Sequence, residues 1–350
     1  MPIRVLVVDD SALMRDMLSN IIAKDPEIVV AGVARDPYEA RDLIRTLDPD
    51  VLTLDVEMPN MNGIAFLERL MRLRPIPVVM VSTLTQKGAD VTLLALELGA
   101  VDFIAKPHEQ GEAAWERVGA ELRGKIKAAA GTKLTLRGSP RGAPVPVAEG
   151  RASYHSRALV AIGASTGGVE ALREVLQKLP RDTPPVVVTQ HMPAGFTARF
   201  AHRLDENCAM RVTEAQDGQV LALGDIVIAP GNRHLSIVLR GAQYVCRIDD
   251  SETVSGHRPS VDVLFRSVAT AAGRHAVGVI LTGMGRDGAQ GLLAMRQAGA
   301  RTIGQNEATS LVYGMPRVAK ELGAVEHETA LDQVAARVLA DLGSEGVRAA

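Results

Sequence analysis

Eight side chains of this sequence have the types and spacing to do chemistry, and they fall into two groups. In the first, Asp9 and Asp10 follow the apolar run Val5-Leu6-Val7-Val8, and Asp55 ends Val51-Leu52-Thr53-Leu54. Ser82 closes Val78-Val79-Met80-Val81, and Lys106 follows Phe103-Ile104-Ala105. Three carboxylates brought to one place repel each other and require a hard cation, and oxygen ligands favour Mg²⁺. With a metal and a lysine present, one of those carboxylates can attack a phosphoryl group as a nucleophile. Each residue singly also fits a solvated loop or a helix cap; their shared position after four strands argues for a site.

The second group is Ser165, His191 and Asp287. Gly163-Ala164-Ser165-Thr166-Gly167 has the G-x-S-x-G form of a turn that exposes a serine at a sheet edge, although an anion-binding loop or a simple cap has the same form. Ser165 and His191 are separated by about one strand–helix–strand unit, so each closes one of two successive parallel strands, ~4.8 Å apart if they are neighbours. Asp287 stands in the glycine-rich stretch Gly283-Met284-Gly285-Arg286-Asp287-Gly288. A serine, an imidazole and an acid on one edge suit acyl transfer: the imidazole takes the serine proton and the acid steadies the imidazolium. The order Ser–His–Asp differs from that of α/β-hydrolases. His234, beside Pro230-Gly231-Asn232-Arg233, and His257, in Ser255-Gly256-His257-Arg258-Pro259, are rival bases. Neither closes a parallel strand, so substrate contact or surface placement suits them better. The eight histidines show no metal-ligand spacing with cysteine or carboxylate.

Such residues need elements to place them. In the first half, strands are expected at 4–9, 28–33, 50–55, 77–82 and 101–105, and helices at about 13–24, 37–47, 62–73, 88–98 and 110–129. Continuous apolar strands alternating with amphipathic helices imply a parallel sheet covered on both faces, with ligands beyond the strands' carboxyl ends. Residues 131–156 are dominated by Gly, Pro and Arg and read as a semi-flexible linker. Beyond it, strands are expected at 158–163, 186–190 and 276–282 and helices at 168–179 and about 260–273. The stretch 211–248 reads as antiparallel strands, because turns at Asp217-Gly218, Pro230-Gly231 and Arg240-Gly241 break it.

The whole composition fits this reading. The chain has 350 residues, enough for about two domains. Thirty-nine basic against forty-one acidic residues give a formal charge of −2, which argues against a nucleic-acid-coating protein. Hydrophobic residues are 47% and aromatics 3%, so the cores are aliphatic. No apolar run nears the ~18 residues that span a bilayer. The N-terminus turns acidic too early for a signal peptide, and Cys208 and Cys246 read as small buried hydrophobes rather than a disulfide framework. A cytoplasmic protein without direct membrane insertion is the expectation.

Two resemblances sharpen it. Val5-Leu6-Val7-Val8-Asp9-Asp10-Ser11, Leu54-Asp55 through Gly63, Val79-Met80-Val81-Ser82-Thr83 and Phe103-Ile104-Ala105-Lys106-Pro107 resemble response-regulator receiver domains over about 1–125. That implies a flavodoxin-like (βα)5 domain with Asp55 as phosphoryl acceptor, Mg²⁺ held with the help of Asp9 and Asp10, and Ser82 and Lys106 contacting the phosphoryl oxygens. Phe103 stands where such domains often carry a switching aromatic, and plain packing explains it as well. The segments at 162–168, 190–196, 229–234, 256–262 and 281–288 resemble the catalytic domain of the chemotaxis protein-glutamate methylesterases, over about 157–345. That implies Ser165 as nucleophile, His191 as base and Asp287 as acid. Met284, through its backbone N–H, and Thr166 are then the oxyanion and substrate residues.

The expected architecture is therefore two doubly wound α/β domains: a receiver at 1–130, a linker at 131–156, and a mostly parallel three-layer catalytic domain with an antiparallel hairpin region at 157–350. The implied activity is phosphorylation-activated hydrolysis of glutamate methyl esters on chemoreceptors, with deamidation of receptor glutamines. The implied partners are those receptors and a histidine kinase, with no nucleic acid and no cofactor in the catalytic domain. A receiver-controlled adaptor without catalysis is the competing class, and ready hydrolysis of free small esters would favour a third, a general esterase. A DNA-binding output would need a basic recognition helix that residues 151–350 do not show.

Overall fold

A computed structural model describes residues 1–58, 62–82, 85–106, 112–132 and 154–348. The chain divides into two compact units, Met1–Pro140 and Arg141–Ala350. Most of the expected linker, and Thr83 and Pro107 of the quoted motifs, lie outside the described residues.

In the first unit, strands β1 (Ile3–Val8), β2 (Ile28–Ala34), β3 (Val51–Asp55), β4 (Val78–Ser82) and β5 (Asp102–Ala105) alternate with helices α1 (Ala12–Ile22), α2 (Pro37–Leu47), α3 (Gly63–Leu73), α4 (Gln86–Glu97) and α5 (Glu112–Ala130). The sheet order is β2-β1-β3-β4-β5, parallel throughout. Helices begin where side chains satisfy their first amides: Ser11 caps α1, Asp36 with Pro37 starts α2, and Asn62 caps α3. Val5, Leu6, Leu52, Leu54, Val78, Val79 and Met80 are fully buried, which is why these strands read as unbroken apolar runs. The order reverses between β1 and β3, and the crevice beyond their carboxyl ends is the expected ligand position.

The second unit is built on a seven-stranded sheet. In chain order its strands are β6 (Leu159–Ala164), β7 (Val186–Gln190), β8 (Arg211–Glu214), β9 (Asp225–Ile228), β12 (Ala276–Ile280), β13 (Arg301–Gln305) and β14 (His327–Thr329). Between β9 and β12, a separate antiparallel hairpin pairs β10 (His234–Arg240) with β11 (Gln243–Asp249). Helices α6 (Gly168–Leu176), α7 (Phe196–Asp205), α8 (Val261–Ala271), α9 (Ala289–Gln297), α10 (Met315–Glu321) and α11 (Leu331–Arg348) complete it. The sheet order is β14-β13-β12-β6-β7-β9-β8. Every pairing in it is parallel.

This corrects the expectation for 211–248. Only β10 and β11 are antiparallel; β8 and β9 extend the main sheet. The cause is the segment 215–224, which crosses between β8 and β9 without a helix and pairs with the free edge of β11. Gly218 N–H donates to Cys246 O at 2.9 Å, Cys246 N–H to Gln219 O at 2.8 Å, and Leu221 N–H to Tyr244 O at 2.9 Å. Its turn residues therefore mark a crossover, not hairpin loops. Cys246 is buried, as expected, but Cys208 is only half-buried. Among the described residues no helix is long and apolar enough to cross a membrane.

Candidate functional site

In the first unit, the crevice between β1 and β3 collects the acids. Ligand oxygens of Asp9, Asp10 and Asp55 lie within 4.8 Å of one another, with Asp9 and Asp55 buried and Asp10 exposed. The Lys106 ammonium, beyond β5, is 3.0 Å from Asp55 Oδ2 and 3.2 Å from Asp9 Oδ2. Burial pushes the Asp55 carboxyl up to about 6, with Asp9 adding to the shift and Lys106 opposing it. Burial alone would lower the Lys106 amine, but Asp55 and Asp9 hold it above its usual value. One ammonium does not balance three carboxylates, and an all-oxygen donor set of this spacing suits a hard divalent cation. Gly63 is packed so closely that a Cβ there would sit 2.2 Å from the Asp55 carbonyl oxygen, so the α3 turn abuts the acceptor strand.

Ser82 is fully buried and its hydroxyl accepts a hydrogen bond from Thr92 in α4 at 2.7 Å. Phe103 is buried in β5, with the Lys125 ammonium 5.2 Å from its ring centroid.

In the second unit the three residues expected to act together follow adjacent strands, in the order β12-β6-β7. The β6–β7 ladder aligns Ala164 with Gln190 and continues through His191 N–H to Ala164 O at 3.2 Å. On the other side Ser165 N–H donates to Thr282 O at 3.0 Å, tying the serine's backbone to the end of β12. Ser165, His191 and the Asp287 loop thus share the carboxyl edge at the point where strand order reverses.

His191 Nε2 is 2.8 Å from Asp287 Oδ2, and the imidazole is 8% exposed. Its Nδ1 is buried with no hydrogen-bond partner among the described residues. With Nε2–H donated to a carboxylate, Nδ1 holds the lone pair and is the nitrogen left for the serine. Asp287 is cradled by the start of α8: the Ser260 hydroxyl donates at 2.8 Å, Val261 N–H at 2.7 Å and Asp262 N–H at 3.1 Å. Burial by itself would raise the Asp287 carboxyl. The contact with His191, joined by the Val261 amide and the Ser260 hydroxyl, holds it below the ordinary value instead. Met284 N–H makes no hydrogen bond among the described residues. Its loop is pinned by Gly283 N–H to Val312 O at 3.1 Å and Met315 N–H to Gly283 O at 2.8 Å. Thr166 is buried, and its carbonyl accepts from the Thr282 hydroxyl at 3.0 Å.

The rival histidines have other positions. His257 stacks on His191, ring centroids 3.7 Å apart and planes 10° apart. His234 is fully buried, contrary to a surface placement, because β10 turns its first residue inward and both ring nitrogens are engaged. Sequence reasoning also missed Gln190, whose buried Nε2 donates to Ser165 O at 2.9 Å and His191 O at 3.3 Å. One amide thereby clamps the backbone of both residues; the signal was a polar side chain closing Val186-Val187-Val188-Thr189.

Comparison with known proteins agrees with this layout. Residues 160–338 match the CheB methylesterase family, and residues 5–114 match the response regulator receiver domain. A protein-glutamate methylesterase/protein-glutamine glutaminase of Caulobacter vibrioides is 56% identical over 98% of this chain and 98% of its own. One from Xanthomonas campestris pv. campestris is 53% identical over 97% of each chain. Among solved structures, the Thermotoga maritima CheB methylesterase catalytic domain is 34% identical, with a TM-score of 0.51, over 52% of this chain and 97% of its own. The chain belongs to the CheB methylesterase family and carries a response regulator receiver domain ahead of its methylesterase domain.

Proposed function

We propose that this protein hydrolyses glutamate methyl esters on chemoreceptors, releasing methanol, and deamidates receptor glutamines, under control of phosphorylation at Asp55. The observation that carries the reading is the His191 imidazole, held by buried Asp287 on one nitrogen and unpartnered on the other, at the end of the strand next to the one that Ser165 follows. Ser165 Oγ attacks the ester carbonyl and passes its proton to His191 Nδ1, and Asp287 stabilises the imidazolium. Because the Ser165 N–H is spent on Thr282 O, the oxyanion takes its donors from the following residue, Thr166, and from Met284. His191 then returns the proton to the departing methoxide, or to the amide nitrogen of a glutamine side chain, which leaves as ammonia. Water activated by the same nitrogen releases the acyl group, leaving a glutamate. Ester and amide share the tetrahedral oxyanion, so one site serves both.

In the receiver, Asp55 is the acceptor carboxylate and Lys106 pairs with the incoming phosphoryl oxygens. Asp9, Asp10 and Asp55 would hold Mg²⁺, which supplies charge neutralisation at the phosphoryl group. A histidine kinase is the physiological donor, and the reading places the protein in the cytoplasm, where free thiols such as Cys208 and Cys246 persist.

The test is methanol release from methylated receptor membranes by full-length protein with a small phosphodonor. Ser165→Ala is expected to lower the rate by several orders of magnitude while leaving the fold intact. Near-normal release by that variant would overturn the assignment.

A further inference from the structure

Two residues outside the reacting set form a buried chain that ends on Asp287. His234 opens β10 and is fully buried. Its Nδ1 accepts from the Ser260 backbone N–H at 3.2 Å, so that nitrogen carries the lone pair. Nε2 then carries the proton and donates to the Glu252 carbonyl at 3.0 Å. The ring is thus neutral, with a single tautomer. Ser260 caps α8: its hydroxyl accepts from Val263 N–H and donates to Asp287 Oδ1. The next two amides, of Val261 and Asp262, also point at Asp287. Three of the four donors on that carboxylate therefore sit on the start of one helix, and His234 holds the backbone where the helix begins.

We propose that His234 is a positioning residue for the ester hydrolysis, acting through Ser260 to set the Asp287 carboxylate against His191. The inference rests on the reading of Asp287 as the acid that orients the base. The alternative is that His234 only ties the exposed turn at Glu252 to the domain, through its other nitrogen.

Side-chain reach separates the two. An asparagine amide extends about as far as an imidazole Nδ1, and a glutamine amide about as far as Nε2. His234→Asn keeps an acceptor facing the Ser260 amide and gives up the Glu252 contact, whose carbonyl can turn to water. His234→Gln keeps the Glu252 contact and leaves the Ser260 N–H buried without a partner, which the start of α8 must move to relieve.

The experiment measures kcat and KM for methanol release from methylated receptor membranes by the full-length chain with phosphodonor. Circular dichroism checks the fold of each variant. His234→Gln is expected to lose about 10- to 100-fold in kcat with little change in KM, the scale of a roughly 1 Å misplacement in a catalytic set. His234→Asn is expected to recover most of that loss. A folded Gln variant with wild-type kcat, or an Asn variant as impaired as the Gln one, overturns the proposal. Ser260→Ala, which removes one hydroxyl and keeps the amide, is the second variant, and an unchanged kcat there overturns the relay even if the Gln protein does not fold. Ser165→Ala is run beside them. Activity in that protein fails the reading of the active site, whereas an inactive Ser165→Ala beside a fully active His234→Gln fails only the relay.

Discussion

Asp55 shows how one buried carboxyl trades stability for chemistry. Its folded value is about 6 against an ordinary 3.8, with burial as the main cause. The protonated form is the one the fold prefers, so the stability from this group is complete below about pH 3.8 and lost as pH rises through about 6. The displacement corresponds to about 3 kcal/mol. Asp55→Asn, which keeps the shape and removes the charge, is expected to raise the melting temperature of the metal-free protein near neutral pH, with the gain shrinking toward about pH 4. The same variant should take up no label from a small phosphodonor. Thermal melts of both proteins across that range check the first outcome. A variant less stable than the wild type near neutrality would mean that Lys106 more than offsets the burial.

Among the elements, the loop that carries Met284 is placed by a neighbour with no side chain. A Cβ on Gly314 would lie 2.6 Å from Gly283 O, 3.1 Å from Gly285 N and 3.2 Å from Met284 Cα. All three are backbone atoms, so the loop cannot yield by rotating a side chain. Gly314→Ala is expected to displace the Met284 amide and lower kcat by about 10²-fold, the usual cost of losing an oxyanion donor, while phosphorylation of Asp55 stays normal. Unimpaired methanol release would show that this amide is not part of the oxyanion hole. Gly314 also marks where sequence reading stops. The receiver strands were legible to within a residue or two because each is a short, mostly apolar run, fully buried in β3 and β4, and Asp9, Asp55, Ser165 and His191 were legible because each directly follows or ends a strand. Gly314 and Ser260 matter only through what packs against them, and no local pattern carries that. Nor could the turn at Asp217-Gly218 be told from a true hairpin turn such as Arg240-Gly241, because the edge of β11 that 215–224 pairs with is set by tertiary packing.

At the scale of the whole molecule, the two reactions belong to two units, each with its own sheet. The receiver holds no group that ester hydrolysis needs, so its influence on the methylesterase must be conformational. Phosphorylation at the proposed acceptor, Asp55, would add charge beside Lys106 and favour whichever receiver state accommodates it. If the unphosphorylated receiver inhibits, control is a population shift, and moving an inhibited fraction from about 99% to about 1% takes about 5.5 kcal/mol of differential stabilisation. Removing the receiver eliminates the inhibited state altogether, with no phosphoryl group required. The second unit has its own buried core, from Leu159 and Val187 to Phe265 and Ile280, so it has what an independent fold needs. A relative's catalytic domain, which this chain matches over 97% of its length, has been solved as a structure of that domain. Residues 151–350 alone are therefore expected to hydrolyse receptor methyl esters faster than the unphosphorylated full chain and to ignore a phosphodonor. The comparison needs equal molar amounts and a circular dichroism spectrum of the fragment. A folded fragment no faster than the intact unphosphorylated protein would show that the unphosphorylated receiver does not restrain the methylesterase.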